Sequence, residues 1–291
     1  MRVAFRIEVN SILGAVEGVP TLLRLFDEYK IQGSFLLSLG TDHSSSFLKK
    51  RLPAGLLNYL PAPMISKRAS DSLRAIRDAG HEVGLSAYTP HAWRSDTAYR
   101  NSDWTCNELQ WAVDAFETLY GCKPEFYGAA GWQVNAHLLA LEEELEFRFA
   151  SDVRGRGPFL PLLQEVSYDC PQIPTTLPTL AELVKLRDIA HEKLHEYIFS
   201  ACQRILPNGE VFSLNAGFEG RELVEVFERM LVMWKGSQWE FKTLAELFDA
   251  CKDTPLPRHQ IGWGEMPGGD GHLAMQSLLI DEQSTPTSSP E

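Results

Sequence analysis

Strand-like and helix-like segments alternate along most of this chain, and that alternation restricts the fold more than any other feature. Strand-like runs fall at Val3–Val9, Gly33–Leu39, Glu82–Tyr88, Glu125–Ala130, Phe147–Asp152, Val166–Ile173, Glu210–Asn215 and Glu240–Leu244. Between most of them, apolar residues recur three and four apart, the spacing of one buried helical face. These stretches are Glu17–Tyr29, Ala69–Ala79, Glu108–Tyr120, Ala136–Leu145, Leu183–Ile205 and Leu223–Trp234. Strand, helix and strand in succession make right-handed crossovers, so the repeat predicts an α/β fold with a parallel sheet covered by helices. Several boundaries have a chemical cause. Pro20 suits a first helical turn, Gly80 can take the left-handed conformation that ends a helix, and Asn208-Gly209 is a tight turn before an apolar strand.

The 291 residues, 44% of them hydrophobic, suffice for one α/β barrel with a sizeable core. Residues 1–251 read as a single domain without repeats or linkers. After Cys251 the composition shifts to Pro255, Pro257, Pro267, Gly268 and Gly269, which marks 252–291 as an extension, and its polar end, Glu282–Glu291, is expected to be disordered. The five cysteines form no C-x-x-C pair and argue against a disulfide framework. No signal-peptide h-region follows the N-terminus, which predicts a cytoplasmic protein. A net charge of −12 disfavours nucleic acid as a partner, because phosphate backbones are bound through Lys and Arg.

One segment runs against the acidic total. No acid occurs between Asp42 and Asp71, where Lys49, Lys50, Arg51, Lys67 and Arg68 bracket an apolar stretch containing Leu56, Leu57, Tyr59, Leu60 and Met64. Cations flanking apolar and aromatic residues suit a membrane interface, so Lys49–Arg68 is one candidate for contact with a membrane surface. The competing expectation is an insertion, 44–68, lying as a lid over the barrel. Pro53, Pro61 and Pro63 exclude a single long helix there.

In a parallel barrel, reactive side chains cluster at the C-terminal ends of the strands. Here those ends are Glu8-Val9-Asn10, Ser86–His91, Ala129–Gln133, Ser151–Arg154 and Asn215–Glu219. They sit in the motifs RIEVNSILGAVEGVP (Arg6–Pro20), IQGSFLLSLGTD (Ile31–Asp42), HEVGLSAYTPHAW (His81–Trp93), AAGWQ (Ala129–Gln133), SDVRGRGPFLP (Ser151–Pro161), QIPTTLPT (Gln172–Thr179) and NAGFEG (Asn215–Gly220). In this order and spacing, from Val3 to about Cys251, the chain resembles the polysaccharide deacetylase (NodB homology) family. Within that family it is most similar to the deformylases of undecaprenyl-phosphate-linked 4-deoxy-4-formamido-L-arabinose in lipid A modification.

The resemblance implies a distorted parallel (β/α)7-8 barrel and a metal-dependent amide hydrolysis. In the family, a divalent metal such as zinc, manganese or cobalt is held by one carboxylate and two histidines. A second carboxylate is the base, a later histidine is the acid, and an arginine and an aspartate orient them. At the matching positions this chain has Glu8 and Asn10 for Asp-x-Asp, Ser86 and Pro90 for the two histidines, Gln133 for the arginine and Asn215 for the acid. Asp152 alone is unchanged. An amide, a hydroxyl and a pyrrolidine supply neither the anionic oxygen nor the nitrogen donors such metals depend on, so no metal cofactor is expected.

Individual residues carry alternatives. Glu8 can serve as a buried base, although pairing with Arg6 or Arg154 is the plainer reading. His91 lies beside the lost ligand position and would need a one-residue slip to reach a metal, so a pocket role is preferred. Trp93 and Trp132 can stack on a sugar ring or fill the barrel top. Arg154 can bind phosphate or a carboxylate through its fork, or pair with Asp152 or Glu8. His191 and His195 formally complete a zinc-protease motif, HEKLH, read here as a chance match on an outer helix. No nucleotide-binding glycine loop is present.

Three functions remain open on these grounds. The first is a pseudoenzyme that binds a lipid-linked amino sugar or partners an active deacetylase or other pathway enzyme, with Glu8, Asn10, Ser86, His91, Trp93, Trp132, Asp152, Arg154 and Asn215 forming its pocket. The second is a hydrolase with a relocated or metal-independent site. The third is a membrane-surface adaptor.

Overall fold

A computed structural model describes residues 1–43, 62–186, 188–202 and 206–280. Its central strand, β1 (Arg2–Val9), is buried from Val3 onward because the sheet is covered on both faces. A π-helical turn at Gly14–Gly18 leads into α1 (Val19–Tyr29), with Pro20 in its first turn as expected. Then follow β2 (Ser34–Leu37), α2 (Ser70–Asp78), β3 (Glu82–Leu85), α3 (Pro90–Asp96) and α4 (Ser102–Tyr120). Helix α4 starts six residues before the predicted position because the Asn101 side chain accepts the Trp104 N–H and caps it. After β4 (Phe126–Tyr127), α5 (Ala136–Glu144) and β5 (Phe149–Ala150), the chain leaves the barrel for β6 (Leu160–Leu163) and β7 (Val166–Ser167). It returns through α6 (Leu180–Val184), α7 (Leu194–Ala201), β8 (Glu210–Asn215), α8 (Val224–Gly236), β9 (Glu240–Lys242) and α9 (Leu244–Asp249). Strands β10 (Arg258–Glu265) and β11 (His272–Leu279) finish it.

The main sheet is parallel throughout, in the order β5-β4-β3-β2-β1-β8, with β9 paired to the first residues of β1. It curls into the distorted barrel that the motifs imply. Residues 171–177 span the opening between β5 and β8: the Ile173 N–H donates to Ala150 O (2.7 Å) and the Thr176 N–H to Val211 O (3.1 Å). Pro171 and Pro174 cannot donate, so this stretch stays irregular.

Two predicted elements differ. Val166–Ile173 is not a barrel strand. Gln164 and Glu165 both take positive φ and fold β6 back onto β7, the geometry of a tight hairpin. Leu183–Ile205 is not one helix either. Thr179 and Glu182 cap α6 reciprocally, and a separate 3-10 turn at His191–Lys193 precedes α7. His191 and His195 therefore do not share one continuous helix.

Side chains alternate along β1, so Phe5, Ile7 and Val9 pack under the helices while Ala4, Arg6 and Glu8 climb the lumen. The lumen floor is apolar: Ala4, Leu36, Phe126, Phe149 and Val211 meet Leu244 and Leu247 of α9, which plugs that end. Polar groups begin one layer higher, at Arg6 and Ser213, and reach the mouth at Glu8.

The segment 252–280 carries the β10–β11 hairpin, which sequence periodicity did not reveal. It joins β6 and β7 in a second sheet and docks on the end of β5 through Arg154 N–H to Ala274 O (2.9 Å) and Gln276 N–H to Arg154 O (2.7 Å). Of the expected insertion, 44–61 and thus Lys49, Lys50 and Arg51 lie outside the described residues, while Lys67 and Arg68 close a helical turn at Ile65–Arg68. The expected disordered end, Glu282–Glu291, also lies outside them.

Candidate active site

The strand ends open into a cavity of about 750 Å³ at the barrel mouth. Glu8, Asn10 and Asn215 form its floor, with Pro90, His91 and Arg94 of α3 on one side, Trp132 and Gln133 on another, and the β10–β11 tip at Gly268–Asp270 completing the wall. Four residues expected in a pocket stand away from this lining, namely Ser86, Trp93, Asp152 and Arg154.

Glu8 organises the floor. Its Oε1 accepts from Arg6 Nη1 (2.7 Å), and its Oε2 accepts from Arg94 Nη2 (2.6 Å) and Asn10 Nδ2 (3.1 Å). Burial works to raise its pKa, yet the nearby Arg94 and Arg6 guanidiniums together outweigh it and hold the carboxyl below its usual range. Pairing with Arg6 agrees with the plainer expectation. The second partner is Arg94 rather than Arg154, a contact no motif announced. Its signal was present in the spacing: Pro90 begins α3, and Arg94 lies one turn later on the same face.

Arg6 is fully buried and spends its guanidinium on fixed acceptors: Ser151 O (3.1 Å), Ala129 O (2.9 Å), Ser213 Oγ (3.1 Å) and Glu8. It thereby ties β1 to the ends of β4, β5 and β8. Arg154 is also buried, which pushes its pKa down, and it pairs with Glu182 (2.7 Å) and Leu177 O (2.7 Å). The expected pairing with Asp152 or Glu8 is not formed, because the docked hairpin turns the Arg154 side chain toward α6. The Trp132 indole lies over both guanidiniums, 4.6 Å from that of Arg154 and 5.4 Å from that of Arg6.

The remaining motif positions are committed elsewhere. Ser86 is buried and its hydroxyl donates to Gly128 O (2.8 Å). Trp93 is fully buried, stacks on Trp104 with centroids 5.5 Å apart, and donates its indole N–H to Gln133 O (2.9 Å). It fills the barrel top rather than facing the cavity. Gln133 fastens the hairpin: its Nε2 donates to His272 O (2.8 Å). His91 is the second residue of α3 and is exposed at the cavity.

Asp152 accepts from the Ala129 N–H (2.6 Å) and Gln172 Nε2 (2.8 Å). Burial raises its pKa and that of Glu142, which shares the Gln172 amide with it. It anchors the ends of β4 and β5. Asn215 instead bonds Asn10, its Nδ2 donating to Asn10 Oδ1 (3.0 Å), while its Oδ1 accepts the Gly217 N–H (2.8 Å). Glu219, which closes the strand-end segment Asn215–Glu219, is buried beneath Asn215, accepts its N–H (2.7 Å), and burial pushes its pKa up to about 8.

A divalent metal does not fit these residues. Asn10 offers an amide oxygen already accepting from Asn215, the Ser86 hydroxyl is turned to a carbonyl, and Pro90 has no donor atom. Among the described residues, no three His, Cys, Asp or Glu side chains come together as a metal-binding group.

Comparison with known proteins decides the lineage. The chain is 30% identical, over 98% of its own length and 97% of the relative's, to a probable 4-deoxy-4-formamido-L-arabinose-phosphoundecaprenol deformylase ArnD of Shewanella sediminis (strain HAW-EB3). The chain belongs to the deformylase branch of the polysaccharide deacetylase family. A second relative of the same description, from Wigglesworthia glossinidia brevipalpis, is 25% identical over 92% of this chain and all of its own. No family model matches the chain. Among solved structures, a Mycobacterium smegmatis protein described as a polysaccharide deacetylase superposes with a TM-score of 0.67 at 17% identity, covering 91% of this chain and 94% of its own, which establishes the deacetylase barrel. Within the described residues, no helix is long and apolar enough to cross a membrane.

Proposed function

We propose that this member of the deacetylase family binds a lipid-linked amino sugar without metal-dependent amide hydrolysis. One observation carries the reading: the carboxylate at the family's base position, Glu8, is held by two guanidiniums and an amide, from Arg6, Arg94 and Asn10. A base needs a pKa near working pH, and a carboxylate held low by two guanidiniums is a poor acceptor of a proton from water. The ligand class follows from the relatives, described as deformylases of a formamido-arabinose on undecaprenyl phosphate, and from a cavity of sufficient size at the same strand ends. A protein of this kind acts by holding the sugar or by presenting it to an active pathway enzyme. The basic, apolar stretch Lys49–Arg68 suits it to the inner face of a membrane, where such a lipid resides. The test is release of formate from the formamido-arabinose lipid with zinc, manganese or cobalt supplied in turn. No release above a protein-free control is expected with any of them, and turnover that requires metal would refute the proposal.

Glu219 favours a second reading, a metal-independent hydrolase. It lines the cavity and, with its pKa pushed up to about 8, is largely protonated at neutral pH and able to donate to a leaving amine. Such a site forgoes several kcal/mol of charge stabilisation that a metal supplies. Release of formate in the presence of a chelator, abolished by Glu219→Gln, would establish this second reading.

A further inference from the structure

We propose that the Arg94 guanidinium, a fixed cation beside the vacated ligand positions, makes this floor selective for the N-acyl form of an amino sugar, gripped by its carbonyl oxygen. The inference rests on the ligand class proposed above and adds which of its two chemical forms is retained. Arg94 is built into place. It follows Pro90 by one helical turn, both line the cavity, and its side chain is 46% exposed there. Its stem lies across Gly131, where a Cβ would come within 2.9 Å of Arg94 Cγ and 3.3 Å of its Nε, and Gly131 holds a φ of 65° that other residues rarely adopt. Only Nη2 is engaged, by Glu8, and among the described residues no acceptor takes the Nε or Nη1 hydrogens.

The rest of the floor is polarised in the same sense. Glu8 has spent Oε1 on Arg6 and Oε2 on Arg94 and Asn10. Asn10 Oδ1 accepts from Asn215, and Asn215 Oδ1 accepts from Gly217. The side-chain oxygens of Asn10 and Asn215 thus each already accept from within, and each amide retains an N–H beyond the one it donates inward. Of the acids along the cavity, Glu182 pairs with Arg154 (2.7 Å), Asp270 pairs with Lys185 (2.5 Å) and Asp42 accepts the Ile12 N–H (2.8 Å), while the Arg94 guanidinium keeps its Nε and Nη1 hydrogens at the floor. Such guanidinium hydrogens suit a carbonyl oxygen, and the fixed positive charge repels an ammonium placed against it. The amide is polarised there but meets no free base, which is why binding leaves it intact.

The test is calorimetric titration of the full chain, in chelator, with 4-deoxy-4-formamido-L-arabinose and with 4-amino-4-deoxy-L-arabinose. The formamide is expected to bind roughly ten-fold or more tightly than the amine, the weight of one charge-assisted hydrogen bond plus relief from repulsion. Arg94→Gln should erase that preference, Arg94→Lys should keep part of it, and Gly131→Ala, which displaces the stem without removing the charge, should behave like Arg94→Gln. Circular dichroism of each variant distinguishes a changed site from a lost fold. Equal or tighter binding of the amine, or a preference undiminished in folded Arg94→Gln, overturns the inference and leaves the ligand class standing. Failure of wild type to bind either sugar overturns the ligand class itself.

Discussion

Two buried carboxyls in one cavity respond to pH in opposite directions. The Glu8 pKa lies below its ordinary 4.5 because Arg94 and Arg6 outweigh burial, so its contribution to stability is present above that value and is lost as pH falls through the lowered one. Glu219 is raised from 4.5 to about 8 by burial, so its contribution is complete below about 4.5 and is lost as pH rises through about 8. Wild type should therefore lose stability relative to Glu219→Gln across that interval, as read by urea unfolding at several pH values. A constant difference between the two proteins would show that Glu219 does not titrate as described. Arg6 carries a large single-residue cost. Its replacement by Met leaves Glu8 Oε1 and two buried carbonyl groups without their donor, and should cost about 3–5 kcal/mol in equilibrium unfolding, as for other broken buried ion pairs. The Glu8–Arg6 pairing was readable from two residues on one face of a strand. The spacing of Arg94 from Pro90 carried a signal too, but one that shows only once Pro90 is taken as the start of α3 rather than as a substituted ligand position.

At the level of elements, α3 assigns opposite fates to neighbouring residues. It turns Pro90, His91 and Arg94 to the cavity and Trp93 into the core. Trp93→Ala should accordingly destabilise by about 3–5 kcal/mol in denaturant, as for other large core truncations, whether or not a sugar is present. The β10–β11 hairpin supplies a second test. Gly268 sits at a φ of 75° with Glu182 O only 2.1 Å from where a Cβ would lie. Gly268→Ala should lower the melting temperature and loosen the cavity wall, at a cost of at least about 1 kcal/mol. The barrel strands were legible because burial on both faces makes them continuous apolar runs. Strands β10 and β11 were not, because Gly262 and Gly264 interrupt β10 and exposed apolar positions, among them Trp263, Leu278 and Leu279, obscure a clean alternation. The split of the expected Leu183–Ile205 helix was equally hidden, as the apolar spacing continues across the 3-10 turn.

Over the whole molecule, a family barrel is retained while the groups at its mouth have been recommitted. Ser86 serves a strand, Trp93 the core, Gln133 the hairpin, and Glu8 two cations. The motif order made the fold readable, and it marks Asn10, Ser86 and Pro90 as substitutions at strand ends. The present floor was harder to read, because it depends on Arg94, one residue past the His81–Trp93 motif, and on the C-terminal hairpin, which lies outside the motifs. The central claim is that these residues no longer hold a divalent metal. Elemental analysis of the purified chain after equilibration with zinc, manganese or cobalt and removal of excess ion tests it most directly. The account predicts far less than one metal per chain for each ion, unchanged in Glu8→Gln. One tightly held ion per chain in wild type, lost in Glu8→Gln, would contradict it.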